Sequence, residues 1–281
     1  MSHRTLGFAG AFVLVQALFA FGQDPDLGNQ FTGTRRPAQR PAPPFRPTPR
    51  YADGRVNLGP PPGETGLWLP GLGGTPGEPW PPRSMEVPYQ PWAQELLAYR
   101  RQNQFEPHTR CKPSGGPRQF LTPYGVEFVD RPELQRLYIM DIGGPHTFRV
   151  VYMDGRPHPK DWVPDYYGHS VGHWEGDTLV VITVGLDERA WLDQYAFPKS
   201  FHAKIEERYK LRDPNTLTLQ LTLTDPEMYT KPWVSDIKIW RKEARKNVTW
   251  YGWYGLFSGL GELICAPMNA NPFVSAGRGG D

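Results

Sequence analysis

Alternation of apolar and polar residues dominates the chain beyond Cys111, and Thr216–Thr224 shows it most cleanly. The sequence of this run, TLTLQLTLT, places four leucines on one face of a β-strand and threonine or glutamine on the other. Helical periodicity is absent from this half of the chain. Turn residues separate further runs that predict strands at residues 125–129, 135–142, 147–153, 170–174, 178–186, 203–212, 236–242 and 248–254.

The stretch 166–193 holds the clearest strand signals. At its centre, Glu175-Gly176-Asp177 predicts a tight turn, because Gly176 adopts a positive φ without steric cost. Residues 178–186 are apolar on both faces, which is typical of a central strand. On the preceding strand His169, His173 and Glu175 share one face, since residues two and four apart point the same way. Two imidazoles and a carboxylate are therefore predicted to line one side of a strand.

The succession of hairpins predicts an all-β fold. A sheet of eight to nine antiparallel strands must bury one face and protect the unpaired backbone groups of its edge strands. Closure into an up-and-down β-barrel does both. A two-sheet β-sandwich is the alternative. We expect a single domain over residues 51–281 that begins with an extended arm, in which Gly66-Leu67-Trp68 forms the first strand.

Residues 91–102, PWAQELLAYRRQ, predict one short helix in this domain. Proline suits the first turn, Glu95 lies near the start and two arginines lie near the end, as the helix dipole favours. Trp92, Leu96 and Tyr99 fall on one face. A helix this short needs contacts with the domain to hold it.

The first 22 residues have the organisation of a secretory signal peptide. A short basic start precedes an apolar run, and Ala20-Phe21-Gly22 is a small-x-small cleavage site. A membrane anchor is the competing interpretation, but the run is interrupted by Gln16 and is shorter than a membrane span requires. We expect an exported protein, periplasmic or extracellular, without a transmembrane segment after cleavage. Residues 23–50, rich in proline and arginine, predict a disordered tether.

Composition and cysteine content limit the kinds of molecule that the protein is expected to bind. The chain has 32 prolines and 30 glycines, and 31 basic against 29 acidic residues give a net charge of +2. This balance gives no electrostatic case for nucleic acid. Cys111 and Cys265 are expected to form a disulfide in an oxidising compartment rather than a zinc site. The chain has no Walker loop, dinucleotide fingerprint or HExxH motif, so no cofactor or metal is predicted.

Several motifs resemble a known group of sequences. CKPSGGPR, YMDGRPHP, GHSVGHWEGDTLVVITVG and ERYKLRDPNTLTLQLTLTDPEMYTKPW are similar to a large group of uncharacterised exported bacterial proteins, over residues 66–265. The WEGDTLVV and DPxxYTKPW pieces are the most specific, and they imply no catalytic assignment. Gly66-Leu67-Trp68 also resembles the Gly-x-Trp opening strand of lipocalin-like barrels. That resemblance implies an interior pocket for a small, mostly apolar ligand.

Four histidines are candidate site residues. His158, His169, His173 and His202 lie in or beside the strands and loops around the central hairpin, so they can meet at one end of the barrel. A metal site needs three or four converging ligands, and the sequence shows only one pair with usable spacing. A polar pocket rim and hydrogen-bonded structural histidines are the other interpretations. We assign His158 and His173 to a ligand pocket.

Glu207 is the oddest position in the predicted strands. Its strand places it among apolar residues, so a carboxylate is predicted to point inward. A buried carboxylate needs a partner or a raised pKa, and the second condition produces a general acid or base. With His169 or His202 beside it, Glu207 would be catalytic. Paired with an inward arginine, such as Arg149 or Arg241, it would be structural.

The long connection 187–200 predicts a lid over the barrel mouth, because it is too long for a hairpin turn. Asp193 and Tyr195 lie in this connection and are candidate ligand-binding residues. An aromatic loop that could face it contributes Trp162 and Tyr167. Aromatic side chains at a pocket mouth suit a glycan or a ring-containing ligand, and they are also common in packing.

Three functions are compatible with these patterns. The first is an exported module that binds a small molecule in an aromatic pocket. The second is a hydrolase, lyase or isomerase that uses Glu207 and a histidine on the same barrel. The third is a structural protein of the cell envelope whose aromatic residues fill the core. A filled barrel interior favours the third function. An open pocket with Glu207 paired to an arginine favours the first, and an open pocket with an unpaired Glu207 within hydrogen-bond reach of His169 or His202 favours the second.

Overall fold

A computed structural model gives the fold and describes residues 47–60, 66–70, 78–122, 125–141, 147–161 and 163–243. All of the described residues belong to one compact unit. The predicted signal peptide, most of the tether, strand 248–254, Trp162 and Cys265 lie outside the described residues. Export and the Cys111–Cys265 disulfide therefore stay predictions.

Ten β-strands and one α-helix form within the described residues. The helix is α1 (Pro91–Asn103). The strands are Leu67–Leu69 (β1), Val126–Arg131 (β2), Arg136–Asp141 (β3), Phe148–Tyr152 (β4), His169–Glu175 (β5), Thr178–Val184 (β6), Lys204–Asp213 (β7), Thr216–Thr224 (β8), Trp233–Val234 (β9) and Lys238–Lys242 (β10).

The strands close into a barrel. Neighbours pair in the order β1 to β8, and β10 completes the ring by pairing with both β8 and β1. Nine strands thus form the barrel, and β9 pairs with the end of β8 as one extra strand. The prediction of an all-β barrel is confirmed, and the sandwich alternative is not the fold.

One strand pair departs from the predicted antiparallel meander. β4 and β5 run parallel, with Val151 opposite Ser170 and Tyr152 opposite Val171. Parallel neighbours need a crossover that returns the chain to its starting end, and residues 153–168 supply it. The sequence shows a long connection here, but its length alone does not distinguish a crossover from a hairpin loop. The barrel is therefore mixed at this single pair of the described strands.

Strand positions follow the predicted alternation closely. β8 spans the predicted residues, and β5 and β6 flank Gly176, whose φ of +57° confirms the predicted turn. All four leucines of β8 are fully buried. β9 was not predicted, because two residues are too few to show an alternation.

The chain itself fills the barrel interior. Residues 114–122, which we call the interior segment, are buried throughout. The ring centroid of Phe120 lies 5.2 Å from that of Tyr209 in β7 and 5.5 Å from that of Trp240 in β10. It also lies 6.1 Å from that of Phe128 in β2. The space that the lipocalin resemblance assigns to a ligand is therefore occupied by the interior segment. A filled interior is what the structural function requires of the barrel core, so a small-molecule site has to lie outside the barrel interior.

The predicted helix forms as α1, but it buries a different face. Ala93, Leu97 and Arg100 are buried, whereas Trp92 and Tyr99 are 48% and 54% exposed. Both sets of residues recur at intervals of three and four, so periodicity does not choose between them. No helix among the described residues is long and apolar enough to span a membrane.

The predicted tether ends before residue 50, because residues 47–50 belong to the folded unit. Arg50 forms a bidentate ion pair with Asp177 in the β5–β6 turn, with N···O distances of 2.9 and 2.7 Å. Arg50 also forms an isolated bridge with Val56. A partner 127 residues away is invisible to local composition, which explains the error in the boundary.

Candidate functional site

Glu207 points into the barrel, as the alternation of β7 predicts. Its carboxylate accepts hydrogen bonds from Arg149, at 3.1 Å from Nη1 and 2.5 Å from Nη2. The Tyr209 hydroxyl donates to the same carboxylate at 2.7 Å. Arg149 also donates to the hydroxyls of Ser170 at 2.8 Å and Thr183 at 2.5 Å. We call these five residues the interior polar cluster.

The interior polar cluster favours the structural interpretation of Glu207. The side chains of Arg149 and Glu207 are 0% and 1% exposed, so no substrate can touch them in this arrangement. Burial opposes the charge on Arg149, but the facing Glu207 carboxylate raises the pKa of Arg149, so the guanidinium stays charged. Neither His169 nor His202 shares a hydrogen bond with Glu207 in the part of the chain that the structure describes. The geometry therefore does not support acid–base catalysis through Glu207.

A cleft with a volume of about 680 Å³ opens on the outer face of β4, beside the crossover 153–168. We call it the outer cleft. It arises at the parallel pair, where the crossover runs beside the outward side chains of β4. Among the residues that line it are Phe148, Val150, Tyr152, Asp161, Asp165, Tyr166, Tyr167, Gly168 and His169.

Two stacked rings, Tyr152 and His169, line the outer cleft, and His158 and Arg156 pack against them. The ring centroids of Tyr152 and His169 are 5.1 Å apart, with an angle of 21° between the planes. His158 packs edge-on against His169, and their Nδ1 atoms are 2.9 Å apart. On the other side, the Arg156 guanidinium lies 4.0 Å from the Tyr152 centroid. The β4–β5 pairing and the crossover thus bring together residues that sequence spacing separates.

The two imidazoles of this stack are neutral at pH 7. Burial lowers the pKa of His158 from 6.5, and the charge on His169 adds to the lowering. Burial also lowers the pKa of His169, with the Arg156 charge adding to it. One Nδ1 then donates its hydrogen to the other. The pair therefore has one Nε2–H donor and one Nε2 acceptor, and His169 is the member that lines the outer cleft.

Tyr167 is held at the edge of the outer cleft by hydroxyl contacts. Its hydroxyl donates to the buried Asp141 carboxylate at 3.2 Å and lies 3.3 Å from the Ser114 hydroxyl. Thr147 forms a further short contact with the same hydroxyl. Burial raises the pKa of Tyr167, and the Asp141 charge raises it further, so the hydroxyl stays protonated. These contacts fix the ring in place as part of the cleft wall.

His173 and His202, by contrast, lie away from the cleft. His173 is exposed on the outer face of β5, with Nε2 3.2 Å from the Glu175 carboxylate. His202 is 62% exposed at its side chain and lies 3.5 Å from Glu227. Of the four predicted histidines, the structure therefore brings only His158 and His169 together.

The connection 187–200 packs into the domain rather than covering an opening. Asp193 is fully buried, and its carboxylate accepts the backbone N–H groups of Trp80 at 3.1 Å and Tyr195 at 2.9 Å. Burial raises the pKa of Asp193 to about 6, although these bonds favour the charged form. The Tyr195 ring packs against the hydrophobic core. Both residues hold the chain in place, and neither lines the outer cleft.

Tyr152, Arg156 and Phe148 were not predicted as site residues. The alternation of β4 carries a signal for two of them, because Phe148 and Tyr152 fall on the face opposite the buried Val151. Large aromatic residues on the outward face of a strand are not buried by strand pairing, and such exposed residues indicate a binding surface. Arg156 follows a turn and carries no such signal.

Metal ligands do not converge at this site. No group of three or more His, Cys, Asp or Glu side chains within the described ranges is arranged to hold a metal ion. No family model, curated protein or solved structure matches the chain.

Proposed function

We propose that this protein is an exported module that binds a small, planar, ring-containing molecule in the outer cleft. The observation that carries the proposal is the stacking of Tyr152 on His169, two rings that line a cleft of about 680 Å³, with His158 packed edge-on against His169. This volume is typical of small-molecule sites, which combine aromatic walls with a few oriented polar groups. A ring inserted beside His169 would extend the existing stack.

The charge of the lining narrows the ligand class. Asp161 and Asp165 line the outer cleft, and its histidine is neutral at pH 7. Among the described lining residues no lysine or arginine offsets the two carboxylates. Neutral or cationic aromatic molecules therefore suit the cleft better than anions. Nε2 of His169, whose Nδ1 contacts His158, would bind one hydrogen-bonding group on the ring.

Binding to the outer cleft is tested with phenol, indole and benzylamine, by calorimetry and by ligand-induced thermal stabilisation. His169→Ala removes one ring of the stack and one hydrogen-bonding partner, so affinity should fall about tenfold or more. His173→Ala is the matched control, because His173 lies on the same face of the same strand outside the cleft. Equal affinity of His169→Ala and the parent, or no binding of any probe, would contradict the proposal.

The titration of the histidine pair provides a second readout. Protonating both imidazoles abolishes the Nδ1–H···Nδ1 hydrogen bond and places two like charges in contact. Because both pKa values lie below 6.5, binding should be complete at pH 7 and should weaken as the pH falls further below 6.5. A binding constant that is flat from pH 7.5 to pH 5 would oppose the role assigned to the pair.

Export and the disulfide belong to the same proposal. Mass spectrometry of the protein recovered from the periplasm or medium of a bacterial host should find cleavage near Gly22. Thiol titration of the unfolded, unreduced protein should find no reactive thiol, because Cys111 and Cys265 are paired. Two reactive thiols would overturn the pairing without affecting the ligand proposal.

A further inference from the structure

A second cleft lies at the end of α1, and Arg100 forms part of its wall. The cleft has a volume of about 620 Å³. We call it the basic cleft, because Arg100, Arg110, Lys112 and Arg189 line it against a single carboxylate, that of Glu188. Arg189 is already paired with Asp187. Three cationic side chains therefore face one lining carboxylate.

Arg100 is the unusual member of this set. It is only 8% exposed, although a basic residue in the last turn of a short helix is normally solvated. Its guanidinium lies 5.8 Å from the Trp191 ring centroid. Burial lowers the pKa of Arg100, but an arginine remains protonated at neutral pH. The helix thus holds a positive charge in a largely dehydrated position.

The hydrogen-bonding capacity of Arg100 is mostly unused. Nη2 donates to the Glu188 carbonyl at 3.5 Å, the outer limit of a hydrogen bond. Nη1 is buried and has no hydrogen-bond acceptor in the described part of the chain. Leaving a buried charged donor without an acceptor is costly, and proteins normally pair such groups. An acceptor from a ligand would satisfy it.

The surroundings of Arg100 indicate what this acceptor is attached to. Each of three aromatic rings of the basic cleft lies near a guanidinium, with distances from the guanidinium carbon to the ring centroid of 5.0 to 5.8 Å. These pairs are Arg100 with Trp191, Arg110 with Phe105 and Arg189 with Tyr166. A flat ring can pack in such a cleft while an oxyanion on it reaches Arg100.

We infer that the basic cleft is a second binding site, which takes a small aromatic molecule bearing a carboxylate or phosphate group. Arg100 binds the oxyanion through its guanidinium, and Lys112 adds positive charge at the rim. The ring packs near Trp191. This site differs from the outer cleft in the sign of its charge, so the two clefts select different ligands.

Benzoate, phenyl phosphate and benzyl alcohol test this inference, with inorganic phosphate as a ring-free competitor. Benzoate or phenyl phosphate should bind, and benzyl alcohol, which keeps the ring without the charge, should bind at least about tenfold more weakly. The preferred anion distinguishes a carboxylate ligand from a phosphate ligand. Affinity should fall with added salt, since the recognition is largely electrostatic.

Two variants and one control locate the site. Arg100→Met keeps the apolar stem but removes the donors, and it should weaken binding of the better anion at least tenfold. Lys112→Met changes an exposed rim residue and should weaken binding several-fold without affecting the fold. Arg101→Met is the control, because Arg101 is adjacent in the helix, is exposed and lies outside the cleft lining.

Unchanged anion affinity in both Arg100→Met and Lys112→Met would overturn the inference, as would equal affinity for benzyl alcohol and benzoate. His169→Ala should leave anion binding unchanged, because His169 lies in the outer cleft. This variant keeps the two proposals separable. Loss of phenol or indole binding alone concerns the outer cleft, and loss of benzoate binding alone concerns the basic cleft.

Discussion

Arg149 and Arg100 are both buried, yet their guanidinium groups differ in the partners that surround them. Arg149 lies in the barrel interior and donates to Glu207, Ser170 and Thr183, with its charge balanced by a carboxylate. Arg100 lies at the wall of the basic cleft and makes one long hydrogen bond to a carbonyl. The first arginine is satisfied within the domain, and the second has an unused buried donor.

The difference separates a structural charge from a binding charge. A buried ion pair with a full set of hydrogen bonds has no capacity left for a ligand, so its removal affects the fold. A buried cation without an anion has already lost much of its hydration, and a ligand anion meets a partly dehydrated partner. The same residue type thus supports opposite roles, and the hydrogen-bond partners distinguish them.

The largest expected effect is the loss of the Glu207 charge. Glu207→Gln keeps the shape of the side chain but leaves Arg149 as a buried, uncompensated cation, so the free energy of unfolding should fall by about 3 kcal/mol or more. Chemical denaturation measures this change. Glu206→Gln is the matched control, because Glu206 lies one residue away on the outer face. A loss of less than about 1 kcal/mol would show that the pair is not the source of stability.

Removing both charges sharpens the same test. In Arg149→Met/Glu207→Leu no charge is left buried without a partner, so much of the stability lost in the single variants should return. The coupling energy from the double-mutant cycle then measures the interaction of the pair. Additive losses would indicate that each side chain acts through packing alone.

The next effect is the pH dependence that arises from Lys199, a neighbour of Arg100. Burial lowers the pKa of Lys199 to about 7, and the Arg100 charge adds to the lowering. In the unfolded chain the pKa returns to about 10.4, so between pH 7 and 10 the unfolded state binds more protons. The free energy of unfolding should therefore rise with pH from about 7, by a few kcal/mol before tyrosines titrate.

Lys199→Met isolates this contribution. The Lys199 ammonium donates to the Asp187 carbonyl, which also accepts the Ala190 N–H at 3.1 Å, so the substitution leaves no carbonyl unpaired. The variant should be at least as stable as the parent at pH 6, and the rise above pH 7 should disappear. A parent and variant with the same slope from pH 6 to pH 9 would contradict the assignment.

Arg100→Met gives a smaller effect and tests the difference between the two buried arginines most directly. Because Arg100 forms no ion pair with a carboxylate among the described residues, stability should change by no more than about 1 kcal/mol. Arg149→Met, the same substitution at the other buried arginine, should cost about 3–5 kcal/mol. Similar losses in the two variants would mean that Arg100 is paired in solution and is unavailable to a ligand.

Much of the barrel could be predicted from the sequence, because strand alternation is a local property. The burial of Glu207 followed from the pattern of β7, and the turn at Gly176 followed from its local sequence. The parallel β4–β5 pair and the filling of the interior were not predictable in this way. Both depend on where a long connection travels, which residues near each other in the chain do not encode.

The candidate sites were less predictable than the fold. His158 and His169 were singled out, but the outer cleft exists only because the crossover brings Tyr152 beside them. The sequence predicted Arg100 to be exposed, since a basic residue in the last turn of a helix normally faces solvent, but Arg100 is buried. The role proposed for Arg100 depends on a hydrogen-bond acceptor that the described residues do not supply to Nη1. No sequence pattern predicts the absence of a contact.

The smallest expected effect concerns Arg50, which forms a bidentate pair with Asp177 like that of Arg149 with Glu207. The side chains of Arg50 and Asp177 are 42% and 48% exposed, so water solvates either charge when the other is removed. Arg50→Ala should therefore leave the melting temperature within experimental error, and raising the salt concentration should not change that result. Arg149→Ala, by contrast, should lower the melting temperature by many degrees. A clear drop for Arg50→Ala would show that residues 47–50 hold the β5–β6 turn through packing, and burial would then not be what distinguishes the two pairs.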